Sequence, residues 1–421
     1  MFPDKRSGTG NAHYTIADIG LSAFSLFFMQ SESFLAHERA LKERRGSSNS
    51  QSLFGMEKIP TDNHIRAMLD AVHPGYLQPC FDQALSALRD GGGIHAFTRL
   101  GGRVLIALDG TEYFCSQKLG CQHCLTRKRR NGATERYHMM LAATMVAPGH
   151  NMALPLMPEF IAPQDGTEKQ DCERAAGKRW LEAHSERVAD LRPVYLGDDL
   201  FASQPMAASV LASGGDFLFV CKQDSHKTVY DYVRGGDAET LTHTEKRNNK
   251  RLTYHYRWLE DIPLRDGDDA LHVNWIAVRI TDGKGKTTYD GAFVTSLPVS
   301  RDNVAEIAAC GRARWKIENE SFNVLKNNGY NLEHNFGHGQ DCLAMLPVAM
   351  NMLAFAFHTV CDCVDERWQA ARQAKGARKR FFEHIRTLCA YIVFPSWKIL
   401  LETLITSRPP PESEQDKKAL S

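Results

Sequence analysis

The chain carries almost no net charge, because 51 Lys and Arg residues balance 50 Asp and Glu residues over 421 positions. A protein-wide basic field is therefore excluded, and any nucleic-acid partner has to be held by local patches. The longest apolar run near the start covers only residues 19–29. It is too short to span a bilayer and lacks the basic flank and cleavage site of a secretory signal. We therefore expect a cytoplasmic protein without a membrane partner.

The sequence also lacks internal repeats and a regular cysteine framework. Its eleven cysteines, an odd number, are scattered through segments with the patterns of core helices and strands. This distribution indicates reduced thiols in a reducing compartment. The 43% hydrophobic content is that of a globular chain with one large domain or two or three smaller ones.

One loop concentrates potential metal ligands. Cys115, Cys121, His123 and Cys124 lie close together, and His138 follows. A Cys-x2-Cys pair is half of a typical zinc site. A second pair at the usual spacing is missing, so we favour a loop with reduced thiols and keep structural zinc as the alternative.

Hydrophobic patterning predicts an α/β protein with helical ends. The first hundred residues predict helices, interrupted by a polar linker at residues 46–55, and one helix starts at Thr61 or Asp62. The predicted regions are a helical N-terminal region (1–100), the first part of an α/β core (101–223), a β-rich insertion (224–300), the last part of the core (301–340), C-terminal helices (341–407) and a disordered tail (408–421).

Two predicted strands of the core end in acidic residues. The apolar run at residues 103–111 ends in Asp109, and after two more strands and a helix a short strand ends in Asp198 and Asp199. Ligand sites in open sheets gather at such strand ends. Either of the two neighbouring aspartates could point to the site.

Residues 312–330 predict a single helix with an acid on its apolar side. At about 100° per residue, Glu318 shares a face with Trp315 and Leu325, with Arg314 one turn earlier, whereas Glu320 lies on the polar face. Burying a carboxylate is costly unless a partner compensates for it. The helix alone leaves two interpretations open, a structural Arg314–Glu318 ion pair and a functional acid.

Three acids on three core elements would repel each other unless cations lie between them. Hard oxygen ligands of this kind suit Mg²⁺ or Mn²⁺. Two such ions, about 4 Å apart, can clamp the attacking and leaving oxygens of a phosphoryl displacement. The residues alone therefore favour a two-ion phosphodiester site.

In the motifs ALDGTEYF, YLGDDLFA and RWKIENESF, residues 103–328 resemble the DDE transposases of bacterial insertion sequences, in particular the subgroup with a Tyr, Arg, Glu and Lys helix signature. The resemblance implies a ribonuclease-H-like core with a mixed sheet flanked by helices, interrupted by a β-rich insertion. It implies Asp109, Asp198 and Glu318 as catalytic residues and ligands of two Mg²⁺ or Mn²⁺ ions. Asp198 fits the family's spacing better than Asp199, because Phe201 then follows at the third position.

The resemblance also implies how DNA is held. Arg314 corresponds to the signature arginine. Gly311 replaces the signature tyrosine, and Leu325 occupies the lysine position, with Lys326 one residue later. The basic run formed by Arg127, Lys128, Arg129 and Arg130 is a candidate contact for the DNA backbone.

The activity implied is cut-and-paste transposition on double-stranded DNA, at transposon inverted repeats and then at a target. The resemblance implies that residues 101–223 and 301–340 form the catalytic core and that the N-terminal region (1–100) binds the DNA ends. A homodimer formed through the C-terminal helices (341–407) would bring two ends together, and the enzyme would work at the bacterial nucleoid. The alternatives are an inactive or domesticated DNA-binding relative, and a metal-dependent nuclease of the same fold without strand transfer.

Overall fold

The protein is described by a computed structural model that covers residues 2–6, 13–163, 172–247 and 250–408. The predicted tail lies outside these residues, apart from Arg408. The described residues form α-helices and β-strands in a mixed α/β fold.

The helices are α1 (Ile16–Phe28), α2 (Phe34–Lys42), α3 (Arg44–Phe54), α4 (Asp62–Leu69), α5 (Gln78–Asp90), α6 (Glu173–Val188), α7 (Gln204–Ala212), α8 (Lys227–Gly235), α9 (Val304–Arg312), α10 (Asn323–Asn327), α11 (Leu346–Val364), α12 (Glu366–Lys375), α13 (Arg378–Tyr391) and α14 (Trp397–Thr406). The strands are β1 (Thr98–Arg99), β2 (Arg103–Ser116), β3 (Leu125–Lys128), β4 (Thr134–Val146), β5 (Leu154–Pro155), β6 (Glu159–Ile161), β7 (Val194–Gly197), β8 (Asp216–Val220), β9 (Glu239–Arg247), β10 (Lys250–Pro263), β11 (His272–Asp282) and β12 (Thr287–Thr295).

The chain divides into two compact units. Unit 1 contains Met1–Gly93, Tyr113–His138 and Asn323–Ser421, and unit 2 contains Ile94–Glu112 and Met139–Phe322. The helices at the two ends of the sequence therefore belong to the same unit. The segment that carries the candidate zinc ligands belongs to this unit as well.

Unit 2 is built on a mixed sheet with the strand order β4-β2-β7-β8-β12-β11-β10-β9. Strand β7 pairs in parallel with β2 on one side and with β8 on the other. The remaining neighbours, β8 with β12, β12 with β11, β11 with β10 and β10 with β9, are all antiparallel. The short strands β5 and β6 both pair with β4. The strands of the predicted insertion thus continue the central sheet.

The centre of this sheet is apolar on both faces. In β2, residues 104–108 are each at most 1% exposed, and Val194, Tyr195 and Leu196 of β7 are fully buried. A continuous apolar run predicts such a strand, because helices cover both faces of a parallel sheet. On α6, Trp180 is buried and donates its Nε1–H to the carbonyl oxygen of Met157 at 2.8 Å.

Unit 1 is mainly helical and contains one long apolar helix. By length and composition α11 could cross a membrane, but 72% of its apolar window is buried in the fold, as in a core helix of a soluble protein. It contacts α1 and α5. Aromatic rings fill the space beside it, with Phe28 and Phe382 both near His358.

Three predicted elements differ from the structure. The polar segment at residues 46–55 is largely helical, as the C-terminal part of α3, instead of a linker. The strand predicted at residues 151–161 is divided into β5 and β6. Strand β2 does not end near Asp109 but continues to Ser116.

Candidate active site

Two of the three predicted acids lie on, or directly after, neighbouring parallel strands. Leu105 pairs with Val194 and Ala107 with Leu196. The same register, carried two residues further, brings Asp109 of β2 level with Asp198, which follows the last residue of β7. Neighbouring strands are about 4.8 Å apart. Consistent with this register, the charge of Asp198 contributes to the raised pKa of Asp109.

Arg314 links the third acid to the first. Its Nη1 lies 3.4 Å from Asp109 Oδ2, and its Nη2 lies 3.1 Å from Glu318 Oε1. Arg314 is only 8% exposed. A buried guanidinium needs acceptors for its fork of donors. It finds two here, so the structural pair expected from the helix is present and extends to Asp109.

The segment that carries Arg314 and Glu318 is not one regular helix, which corrects the prediction. After α9 the chain forms a 3-10 turn at Ala313–Trp315, a π-helical turn at Ile317–Phe322 and then α10. Tighter and wider turns change the angle per residue. Trp315, predicted on the apolar face, is consequently 52% exposed. Single π-turns inside helices are frequent at functional sites.

A fourth carboxylate, Glu173, joins the site and was not predicted. It is the first residue of α6, and a Cβ atom added to Gly110 would lie 2.3 Å from its Oε1. The missing side chain of Gly110, next to Asp109, therefore leaves the room that Glu173 occupies. No motif spacing pointed to Glu173; the glycine was the only signal in the sequence.

The pKa values of two carboxyl groups in the site, Asp109 and Glu173, are raised. Burial raises the pKa of Asp109 to about 7, against the opposing effect of the Arg314 guanidinium. Three further carboxylates add to the rise: Glu318, Glu173 and Asp198. Burial also raises the pKa of Glu173, together with the charge of Asp198. Four carboxyl groups therefore influence one another here, and two of them, Asp109 and Glu318, contact Arg314.

The acids do not form a compact metal-ligand group among the described residues. Among the described residues, the group of three or more Cys, His, Asp or Glu ligands within 4.8 Å of one another is a Cys/His group in unit 1. Carboxylate oxygens are the donors that hard divalent ions such as Mg²⁺ and Mn²⁺ prefer.

Asp198 and Asp199 have different surroundings. Asp199 accepts from the backbone N–H of Lys222 at 2.6 Å and from the Ser225 hydroxyl, and lies 3.2 Å from His226 Nε2. Asp198 accepts from the backbone N–H of Leu200 at 2.9 Å. Asp199 thus holds the chain after β8, whereas the charge of Asp198 acts on Asp109 and Glu173.

The predicted basic residues all lie in unit 1, apart from Arg314. Arg127, Lys128, Arg129 and Arg130, at the end of β3 and in the following turn, are all exposed. Buried Glu135 pairs with two of them, Arg127 at 2.7 Å and Arg129 at 2.5 Å.

Lys326, on α10, is the remaining predicted DNA contact. Its Nζ lies 2.8 Å from Glu333 Oε1, and its side chain is 26% exposed. Lys326 is therefore anchored by an acid of the following loop.

Comparison of the chain with protein-family models and with curated proteins finds no match.

Proposed function

We propose that the protein is a divalent-ion-dependent DNA transposase that cuts phosphodiester bonds at transposon ends and joins the 3′-hydroxyl to target DNA. The observation that carries the proposal is the register of β2 and β7, which aligns Asp109 with Asp198, together with buried Arg314, which ties Glu318 to Asp109. These observations support one shared site for three acids from distant parts of the sequence.

The topology of unit 2 supports a ribonuclease-H-like core. Such a core has three neighbouring strands followed by parallel strands alternating with helices, and its last acid lies on a helix. Here β5 and β6 pair with β4, β4 with β2, and the parallel strands β7 and β8 follow on the other side of β2. Helices α6 and α7 intervene in the sequence. The four strands β9–β12 precede the segment with Glu318, as an insertion would.

In this proposal Asp109, Asp198 and Glu318 hold two Mg²⁺ or Mn²⁺ ions. The ions would activate the attacking oxygen and stabilise the leaving oxygen of the phosphodiester. Arg314 keeps Asp109 and Glu318 at a fixed separation. Glu173 adds negative charge at the edge of the group, which strengthens cation binding. Asp198 is preferred to Asp199, because Asp199 already accepts two hydrogen bonds.

The partner is double-stranded DNA, at the inverted repeats and at the target. The basic run of residues 127–130 and Lys326 would contact phosphates, which fix the position of the DNA without reading its sequence. A homodimer would pair two ends, and the work would take place in the bacterial cytoplasm at the nucleoid. The helical parts of unit 1 are the candidates for end binding and dimerisation.

The test is cleavage of a supercoiled plasmid that carries the gene with its own flanking DNA. Wild-type protein is expected to cut in Mg²⁺ but not with chelator. Asp109→Asn and Glu318→Gln each remove an ion ligand, so cleavage should fall by about 10³-fold, equivalent to several kcal/mol of barrier. The matched control Glu320→Gln, two residues from Glu318, should cut like wild type.

The products separate this proposal from its alternatives. Donor ends joined to a second plasmid indicate a transposase, whereas cuts without joining indicate a nuclease. Cleavage by Asp109→Asn at the wild-type rate would show that the acids take no part in the cleavage reaction. If the wild-type protein binds the flanking DNA but does not cleave it in Mg²⁺ or Mn²⁺, the result favours the alternative of an inactive DNA-binding protein.

A further inference from the structure

Four potential metal ligands from two distant parts of the sequence meet in unit 1. They are Cys121, Cys124, His138 and His338, and their ligand atoms all lie within 4.8 Å of one another. The first two flank a tight loop after β2, His138 is in β4, and His338 belongs to the loop before α11. The group is separate from the acidic site and has no part in the proposed chemistry.

The distances inside the group match those between the corners of a zinc tetrahedron. Zinc lies about 2.3 Å from sulfur and about 2.0 Å from nitrogen, which makes the tetrahedral edges about 3.8 Å for S–S and about 3.5 Å for S–N. Cys121 Sγ lies 3.9 Å from Cys124 Sγ. His138 Nε2 lies 3.5 Å from Cys121 Sγ and 3.3 Å from Cys124 Sγ.

The fourth ligand completes the same arrangement. His338 Nε2 lies 3.6 Å from Cys124 Sγ, close to the same tetrahedral edge. Cys124 and His138 are buried, and Cys121 and His338 are partly buried. Four protein ligands in a closed, mostly buried group are typical of a structural site, because no position remains for a substrate.

The surroundings fix the ligands in these positions. The His138 ring stacks on Tyr113 at 5.7 Å between centroids, and the His338 ring packs against Phe114 at 4.6 Å. The loop after His338 is held by Asp70, which follows α4. Its carboxylate accepts the backbone N–H groups of Gln340, Asp341 and Leu343 at 3.0 to 3.1 Å.

We infer that Cys121, Cys124, His138 and His338 bind one structural Zn²⁺ that ties the loop before α11 to the ends of β2 and β4. Mixed thiolate and imidazole ligands in a tetrahedron favour zinc over the hard ions of the acidic site. Cys115 and His123, the other candidates from the sequence, are not members of the group. Cys115 lies 3.6 Å from Arg127 Nη2, and His123 contacts Gln122.

The first experiment measures zinc on the intact wild-type protein by mass spectrometry of the metal, after passage through a weak chelator. One Zn²⁺ per chain is expected. After removal of zinc, Co²⁺ should produce the visible bands of a tetrahedral ion and the near-ultraviolet band of sulfur–cobalt bonding. This measurement needs no variant, so a protein without zinc and without these cobalt bands overturns the inference.

Variants identify the ligands. Cys121→Ser and His338→Ala should lower the bound zinc from one per chain to a small fraction, and Cys121→Ser should weaken the sulfur–cobalt band. The controls Cys115→Ser and His123→Ala change the same residue types nearby and should keep one Zn²⁺ and the wild-type spectrum. If the controls lose zinc as the ligand variants do, or if the ligand variants retain it, the assignment is wrong.

Discussion

At the scale of single residues, Arg314 decides the geometry of the acidic site. Its planar fork reaches Asp109 with one nitrogen and Glu318 with the other. A lysine would supply the charge but could not present two donors in a fixed plane. Burial strengthens both contacts, because an unpaired charge there would cost several kcal/mol. The guanidinium of Arg314 therefore lies between two acids that would otherwise repel each other, and it contacts both.

Gly311 lies where the fold leaves no room for a larger side chain. A Cβ atom on Gly311 would lie 2.8 Å from Cε1 of Phe293, closer than side-chain atoms approach. Phe293 belongs to β12 and is 1% exposed. A ring from the inserted sheet thus fills the space that a larger residue at 311 would need.

His37 is expected to make the stability of unit 1 depend on pH. It is buried between the hydroxyls of Ser25 and Ser31, at 2.8 and 2.9 Å from its ring nitrogens. Burial and then the charge of Arg386 lower the pKa of His37 to about 3, from an ordinary 6.5. Between these values the unfolded chain binds a proton that the folded chain excludes. Stability should therefore fall as the pH falls, by about 1.4 kcal/mol per pH unit from this residue.

Urea denaturation of wild type and His37→Gln at several pH values from 4.5 to 6, in chelator, measures this contribution. These values lie inside the window set by a folded pKa of about 3 and an ordinary 6.5. The variant should show a shallower slope, by up to about 1.4 kcal/mol per pH unit. Asn49→Ala, which removes no titratable group, should keep the wild-type slope. Equal slopes for wild type and His37→Gln would mean that His37 is protonated in the fold.

At the scale of elements, α3 shows why a polar segment can be helical. Its residues 46–52 are mostly glycine, serine and asparagine, which favour turns over helix interiors. Asn49 is nevertheless 4% exposed. Its Nδ2 donates to the carbonyl oxygens of Cys389 and Ile392, and its Oδ1 accepts from Phe394 N–H, each at 2.8 Å. These bonds reach residues more than 300 positions away, so local sequence could not predict the helix.

Replacement of Asn49 by alanine should therefore destabilise the protein. Two buried carbonyl oxygens and one buried N–H would lose their partner, which costs about 2–4 kcal/mol in total. Thermal and urea unfolding measure the loss. Ser47→Ala, an exposed change on the same helix, should stay within about 0.5 kcal/mol of wild type. A similar loss in both variants would assign the effect to helix propensity instead of the Asn49 bonds.

The segment with Glu318 shows a second limit of prediction from sequence. The positions of Arg314 and Glu318, four residues apart, correctly indicated that they interact. A single helical period did not predict the 3-10 and π turns, and the contact of Arg314 with Asp109 joins the segment to a residue about two hundred positions earlier. Glu173 was missed for a similar reason, since it reaches the site through the space beside Gly110.

For the whole molecule, apolar runs such as residues 104–108 predicted the strands of the central sheet. The residues that follow two of these runs, Asp109 and Asp198, were the first two candidate acids. The meeting of Cys121 and Cys124 with His338 could not be predicted, because about two hundred residues separate them in sequence. The segment between them folds almost entirely into unit 2. Sequence spacing carries no information on contacts closed by so long a loop.

The formal net charge of only +1 on the whole molecule gives the last prediction, because the DNA binding that we propose would then depend on local groups. Within the described residues Lys128 and Arg130 make no ion pair, unlike Arg127 and Arg129. The double change Lys128→Ala/Arg130→Ala should weaken binding to duplex DNA of any sequence. The slope of log K against log salt should become less steep by about 1.8, since each lost phosphate contact removes about 0.9. Fluorescence anisotropy at several salt concentrations measures this slope.

The control double change Arg234→Ala/Arg279→Ala removes two exposed arginines that already pair with acids in unit 2, and it should leave the slope unchanged. An equal change in both double variants would show that the DNA responds to overall charge and not to the turn after β3.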